Sequence, residues 1–103
     1  MLSKDLSSLV TAYLNQRSPY IKEQYLDLLA EKSTTENFLP IIRQMQEDPK
    51  LHELELSMYI NEIARPDFVE LMPIIAELRT TFKDKDALED MDEAEAKINS
   101  HSN

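Results

Sequence analysis

The segment FLPIIRQM, residues 38–45, is repeated as LMPIIAEL at residues 71–78. In both copies a proline precedes two isoleucines, and large apolar residues occupy the positions i, i+3, i+4 and i+7. This spacing places the apolar side chains on one face of a helix. The repeat therefore predicts two similar amphipathic helices, in which we expect Ile41, Ile42, Ile74 and Ile75 to be buried.

Helical periodicity continues along most of the chain, and no stretch alternates apolar and polar residues long enough to predict a strand. Ser18-Pro19 and Asp48-Pro49 each place a capping residue before a proline at the first helical position. Residues 33–36, 67–70 and 86–89 have the spacing of a capping box. These signals predict helices over residues 3–16, 19–32, 34–47, 49–64, 67–82 and 86–99.

The two repeated prolines leave two alternatives for the helices that contain them. If those helices begin at residues 34 and 67, Pro40 and Pro73 lie inside them and bend their axes, because each proline removes a backbone hydrogen bond. If the helices begin later, the prolines lie in the first turn, where they are tolerated.

The order of helix starts predicts a single all-α domain, residues 1–103, of five to six short antiparallel helices. Residues 19–47 and 49–82 form two helix pairs, and helices 3–16 and 86–99 flank them. The apolar-proline-apolar phrase in the second helix of each pair resembles the HEAT/armadillo class of α-helical repeats. The resemblance implies a HEAT-like helical-repeat stack whose second helices line a concave face. The alternative is a closed helical bundle.

Composition excludes several kinds of site. The 103 residues include no cysteine, so disulfides and thiolate zinc sites are absent, and no glycine, which phosphate-binding loops require. The net charge of −9 disfavours binding to nucleic acid. The first residues are charged where a signal peptide is apolar, and no apolar run approaches the ~20 residues that cross a bilayer. We therefore expect a cytoplasmic protein that binds neither nucleic acid nor membranes.

No residue pattern indicates catalysis, a cofactor or a metal. The residue four positions after His52 is Leu56, so no helical metal-binding pair forms, and His101 belongs to the polar tail NSHSN; both histidines are expected at the surface. The acidic segment 84–95 fails the test for a calcium loop, because Leu88 and Glu89 occupy the positions that need an oxygen ligand and a glycine. The chain is therefore expected to be non-enzymatic and to use no cofactor.

The most consistent function is that of a small acidic protein–protein interaction module, whose partner is another protein with a basic surface. One alternative is a toxin-neutralising immunity or inhibitor protein, or an anti-defence protein. Another is a homo-oligomeric structural subunit, such as a homodimer. Tyrosines are expected mainly in the core, with Tyr20 as a candidate interface anchor. The candidate partner-binding residues lie on the second helices and on the acidic last helix: Arg43, Glu47, Glu77, Arg79, Glu89, Asp90, Asp92 and Glu93.

For the acidic last helix the alternative is a polar cap that only keeps a repeat stack soluble. On either view, replacing Asp90, Asp92 and Glu93 by serine is expected to leave the fold intact, because exposed charges contribute little to stability.

Overall fold

The computed structural model describes residues 2–100, and this part of the chain is all-helical, without strands. The all-α prediction is confirmed. None of the helices in residues 2–100 has the length and apolar character needed to cross a membrane. The six helices are α1 (Lys4–Asn15), α2 (Pro19–Lys32), α3 (Phe38–Glu47), α4 (Glu53–Ile63), α5 (Leu71–Thr81) and α6 (Lys85–Asn99).

The helices form two compact units, Met1–Leu51 and His52–Asn103. In the first unit α1 packs against both α2 and α3, and in the second unit α6 packs against both α4 and α5. The helices predicted to form pairs, α2 with α3 and α4 with α5, contact each other less than each contacts α1 or α6. The helices predicted to flank the pairs therefore hold each unit together.

Each unit has its own apolar core, to which all three of its helices contribute. The repeated phrase supplies the first core with Phe38, Ile41, Ile42 and Met45, which join Val10, Tyr13, Leu26 and Leu29. In the second core the buried residues are Leu56, Tyr59, Ile60, Ile63, Phe68, Leu71, Ile75, Leu78, Ala87, Met91, Ala94 and Ile98.

The repeated prolines lie in the first turn of their helices. Each phrase supplies the first residue of its helix, Phe38 in α3 and Leu71 in α5, so Pro40 and Pro73 are third helical residues. The first four amides of a helix have no partner within it, so a proline there removes no helical hydrogen bond. The later start is thus confirmed, and the alternative of bent helices is wrong.

The predicted start of α3 at residue 34 is wrong because Ser33 ends the preceding helix. The Ser33 hydroxyl is buried and donates to the carbonyl of Leu29 at 2.8 Å. Thr34 and Asn37 then form the turn: the amide of Thr34 donates to Oδ1 of Asn37 at 2.7 Å, and the amide of Asn37 donates to Oγ1 of Thr34 at 3.2 Å. These reciprocal bonds occupy the segment that the capping-box pattern assigned to the helix.

The start of α4 also differs from the prediction, because Asp48 is the C-cap of α3 and does not begin the next helix. His52 is the N-cap instead. Its Nδ1 accepts from the amide of Leu54 at 3.1 Å, and the Glu55 carboxylate accepts from the amide of His52 at 2.9 Å. This is a capping box in which the imidazole replaces the usual hydroxyl or carboxylate.

Of the remaining predicted helix caps, that of α2 is confirmed, and those of α6 and α5 are wrong. Ser18 caps α2, which has its predicted bounds, with its hydroxyl accepting from the amide of Ile21 at 3.4 Å. In α6 the cap is Asp84 and not Asp86, since Oδ1 of Asp84 accepts from the amide of Asp86 at 2.9 Å. The predicted start of α5 at residue 67 is also wrong, because residues 66–67 and 69–70 form turns. The residue before α5, Glu70, makes no side-chain capping bond.

The links between helices turn without any left-handed residue. No residue among 2–100 has positive φ. The C-caps of α1 to α5 leave their helices in extended backbone conformations. Extended exits are accessible to every residue type, whereas left-handed exits favour glycine.

Two adjacent isoleucines of α5 provide a matched test of the second core. Ile75 is 0% exposed, but Ile74, which was expected to be buried, is only half-buried. We predict that Ile75→Ala lowers the free energy of unfolding by about 2–5 kcal/mol, because it leaves a cavity. Ile74→Ala should cost clearly less. Urea denaturation of both variants measures this, and equal losses would contradict the burial difference.

Candidate functional site

Four of the eight predicted partner-binding residues make contacts inside the second unit. Asp90, Asp92 and Glu93 on α6 and Arg79 on α5 are all hydrogen-bonded or ion-paired to neighbouring helices. Their side chains therefore contribute to the packing of α6, whatever else they do.

Asp90 and Glu93 bind polar side chains of α4. The hydroxyl of Ser57 is buried and donates to Oδ2 of Asp90 at 2.8 Å. The side-chain amide of Asn61 donates to Oε2 of Glu93 at 2.8 Å and to Oδ1 of Asp90 at 3.3 Å. The same hydroxyl also lies 3.2 Å from the carbonyl oxygen of Leu54, so Asp90 is the closer of two acceptors for a buried donor. The sequence pattern did not indicate this structural role of Asp90.

Arg79 links α5 to α6. One guanidinium nitrogen lies 2.6 Å from Oδ1 of Asp92, and another lies 2.7 Å from Oε2 of Glu95. The side chain of Asp92 is 73% exposed, so its ion pair is screened by water and contributes little. The fold brings Arg79 and Asp92 together, and these two predicted partner-binding residues form an ion pair with each other.

Two further polar contacts tie α4 to the end of α6 and to its beginning. The Lys97 ammonium donates to the backbone carbonyl of Asn61 at 2.9 Å. Oε1 of Glu53 accepts from the amides of Lys83 and Asp84, each at 2.8 Å. Sequence reasoning missed both, since the paired residues are 30 to 36 positions apart and come together only through tertiary packing.

The other four predicted residues are exposed: Arg43 and Glu47 on α3, Glu77 on α5 and Glu89 on α6. Among residues 2–100 their side chains form no ion pair or hydrogen bond; the backbone carbonyl of Glu77 accepts from the hydroxyl of Thr80 at 2.7 Å. The first two belong to one unit and the last two to the other. They remain candidates for partner contacts.

Within the described residues no group of three or more acidic or histidine side chains is arranged to hold a metal ion. His52 is exposed, as expected, and its ring caps α4. His101 lies outside the described residues.

The structure also has an apolar surface on α2 that was not among the predicted binding residues. Three of the six exposed large apolar side chains in residues 2–100 belong to this one helix: Tyr20 at 72%, Ile21 at 38% and Leu28 at 40% exposure. Ile21, the half-buried Tyr25 and Leu28 follow the i, i+4, i+7 spacing of one stripe. The buried residues of α2, Leu26 and Leu29, face the core. The helix therefore has a second apolar stripe that its own unit covers only in part.

Three carboxylates also lie on α2. Glu31, three residues after Leu28, flanks the apolar stripe, whereas Glu23, two residues from both Ile21 and Tyr25, faces away from it. Glu23, Asp27 and Glu31 are exposed and repeat every four residues, so their side chains follow each other along the helix surface. None of them has an ion pair within residues 2–100. The nearby Lys22 points towards α1, where its Nζ lies 3.4 Å from the carbonyl oxygen of Leu14. These carboxylates are therefore not neutralised by that lysine.

We call this surface the α2 face and define it by Tyr20, Ile21, Asp27, Leu28 and Glu31. Tyr20 was the tyrosine singled out as a candidate interface anchor, and its exposure agrees with that role. The signal in the sequence was weak, because periodicity alone places Leu28 and Leu29 on the same stripe. No known protein family, curated protein or solved structure matches this chain in comparison. The geometry of the chain itself is thus the basis for a functional proposal.

The contacts of Asp90 change the expected effect of mutations in α6. We predict that Asp90→Ala lowers the free energy of unfolding by about 1 kcal/mol, because the buried Ser57 hydroxyl loses its charged acceptor and keeps only the carbonyl of Leu54, 3.2 Å away. The adjacent Glu89→Ala is the control and should change it by less than about 0.5 kcal/mol, as an exposed residue without partners. Urea denaturation measures the free energy of unfolding of both variants. If Asp90→Ala is as stable as Glu89→Ala, the carboxylate contributes nothing to the packing.

Proposed function

We propose that the chain is a small acidic protein-binding module that acts by surface complementarity and not by catalysis. The observation that carries this proposal is the α2 face. An exposed tyrosine beside an apolar stripe is a typical interface anchor, because its ring supplies a large contact area and its hydroxyl still reaches water. Apolar stripes left uncovered on a helix commonly mark binding surfaces.

The charge of the chain favours a basic partner. Of the exposed acidic residues of α2, Glu31 lies beside the apolar stripe, and the whole chain carries a net charge of −9. Such a field speeds the approach of a basic protein and repels nucleic acid. It also disfavours a homodimer, since two copies of the chain repel each other.

The α2 face is a better candidate than α6 for the main contact. Asp90, Asp92 and Glu93 already bind groups of α4 and α5, so a partner would compete with these contacts. Arg43, Glu47, Glu77 and Glu89 make no such contacts among residues 2–100, and they are the alternative contact residues if the α2 face is not used. An immunity or inhibitor function would use the same kind of surface, and measuring the activity of the bound partner would distinguish it from an adaptor.

The test of this proposal is site-specific photo-crosslinking. With a photoreactive amino acid in place of Leu28, we expect one protein to be captured in the cells that express the chain. The same group in place of Glu77 on α5 is the control and should not capture it. Capture from position 77 alone would move the binding site to the surface predicted from the repeat.

Affinity for the purified partner then tests the side chains themselves. Leu28→Ser should weaken binding by about 1 kcal/mol or more, because it removes an apolar contact from the interface. Leu39→Ser is the matched control, since Leu39 is 37% exposed and Leu28 40%, but it lies on α3. Equal effects of the two substitutions would exclude the α2 face.

We also propose that the helices form a HEAT-like repeat stack, the alternative being a closed helical bundle. The support is that α3 and α5 carry the repeated phrase at the same helical positions and bury most of its corresponding residues. Small-angle scattering separates the two architectures. A closed bundle of 103 residues should have a radius of gyration of about 13 Å, whereas an open stack should exceed this value.

A further inference from the structure

We infer that His52 is a pH-sensitive cap: protonation of its ring releases the first turn of α4 and, through Glu53, loosens the start of α6. The inference concerns the second unit alone and goes beyond the proposed binding function. Two contacts carry it. The amide of Leu54 donates to the ring of His52, and the amides of Lys83 and Asp84 donate to Glu53.

The cap bond requires the uncharged imidazole. Nδ1 of His52 accepts from the amide of Leu54 at 3.1 Å, so this nitrogen holds a free lone pair and the proton of the ring lies on Nε2. Protonation adds an N–H at Nδ1, and two donors then face each other. Imidazole is the side chain that ordinarily changes charge between about pH 5 and 8. The hydroxyl and amide groups of the usual capping residues keep their acceptors throughout this range.

The position of the ring at a helix start makes its charge unfavourable as well. The N-terminus of a helix carries a partial positive charge, which an imidazolium opposes. The amide of Leu54 is also among the first four of α4, which have no acceptor inside the helix. No other group of the helix can therefore replace the ring of His52.

Carboxylates near the ring work against this release in part, because they attract an imidazolium. The two on α4 already accept from backbone amides: Glu55 from the amide of His52 at 2.9 Å, and Glu53 from the start of α6. His52 is exposed, so water and salt screen their attraction to the ring. Loss of the cap bond therefore outweighs this attraction. The charged groups next to His52 in the chain and at the start of α6, which packs against α4, are of both signs: Asp48, Lys50, Glu53, Glu55, Lys83, Asp84 and Lys85.

The first turn of α4 also holds the start of α6. Glu53 is the first residue of α4, and its Oε1 accepts from the amides of Lys83 and Asp84, each at 2.8 Å. Asp84 is in turn the N-cap of α6. The helical first turn aims the carboxylate of Glu53 at these two amides. When this turn opens, α6 loses two hydrogen bonds at its start.

The direction of the pH effect follows from proton binding. In the folded, capped state the ring of His52 takes up no second proton, whereas in the unfolded chain it is free to do so. The unfolded state therefore binds more protons as the pH falls. The stability that the cap contributes is present at high pH and is lost as the pH falls through the range in which imidazole titrates.

The experiment compares the unaltered full chain with His52→Asn and His52→Ala by urea denaturation at about pH 8 and about pH 5.5. Asparagine caps helices without titrating, and alanine cannot cap. At the higher pH the unaltered chain and His52→Asn should each have an unfolding constant about fivefold or more below that of His52→Ala. At the lower pH the unaltered chain should lose most of this advantage, whereas His52→Asn should keep it.

Every other titrating group, including His101, is common to the three proteins and cancels when they are compared at one pH. The advantage of the unaltered chain over His52→Ala decides the matter. If it is equal at both pH values, or grows at the lower one, attraction to the carboxylates outweighs the cap and the inference is overturned.

Amide chemical shifts test the coupling between the cap and α6. The resonance of the Leu54 amide should move between about pH 8 and pH 5.5, because this amide loses its acceptor, and those of Lys83 and Asp84 should move in the same step. In His52→Asn none of the three should move in this range. Glu53→Ala should abolish the movement at Lys83 and Asp84 and keep it at Leu54. If Lys83 and Asp84 do not follow Leu54 in the unaltered chain, or still follow it in Glu53→Ala, the inference is overturned.

Discussion

In each half of this chain, one helix carries the packing of the other two. Helices of 10 to 15 residues are marginal by themselves, so each must bury an apolar face to persist. In the first unit α1 provides that contact for α2 and α3, and in the second unit α6 provides it for α4 and α5. Ala87 and Ala94 alternate with Met91 and Ile98 on the buried stripe of α6, and their small side chains allow close approach to α4. The acidic last helix, for which the sequence left a polar cap as one alternative, packs against both other helices of its unit.

This arrangement explains why the acidic residues of α6 divide into two groups. Those next to the buried stripe meet the polar groups of α4, where Asp90 accepts from the hydroxyl of Ser57, so charge is used to satisfy a buried donor. The acidic residues of α6 that lie further from its buried stripe, such as Glu89, are exposed to solvent. The α2 face has a different balance, because its carboxylates have no such partners among the described residues. Contact geometry, and not the density of charge along the sequence, separates structural acids from those available to a partner.

The fold class and most core positions followed from the sequence, since helical periodicity is a local property. The repeated prolines allowed two alternatives for α3 and α5, and in the structure both prolines lie in the first turn. The starts of α3, α4 and α5 could not be predicted, because residues such as Ser33 and Asp48 suit either end of a helix. Their hydrogen bonds depend on the neighbouring turn. The α2 face could not be predicted either, because tertiary packing decides that Leu29 is buried and Leu28 is exposed.

The turns without left-handed residues have a consequence for the unfolded chain. Glycine has the largest conformational freedom of all residues, and each glycine raises the entropy that folding must remove. A chain of 103 residues with five prolines and no glycine begins from a more restricted ensemble. Its helices α1 to α5 end in extended backbone conformations, which do not require glycine. The absence of glycine is therefore compatible with these turns. Folding thus removes less chain entropy than it would in a glycine-containing chain of the same length.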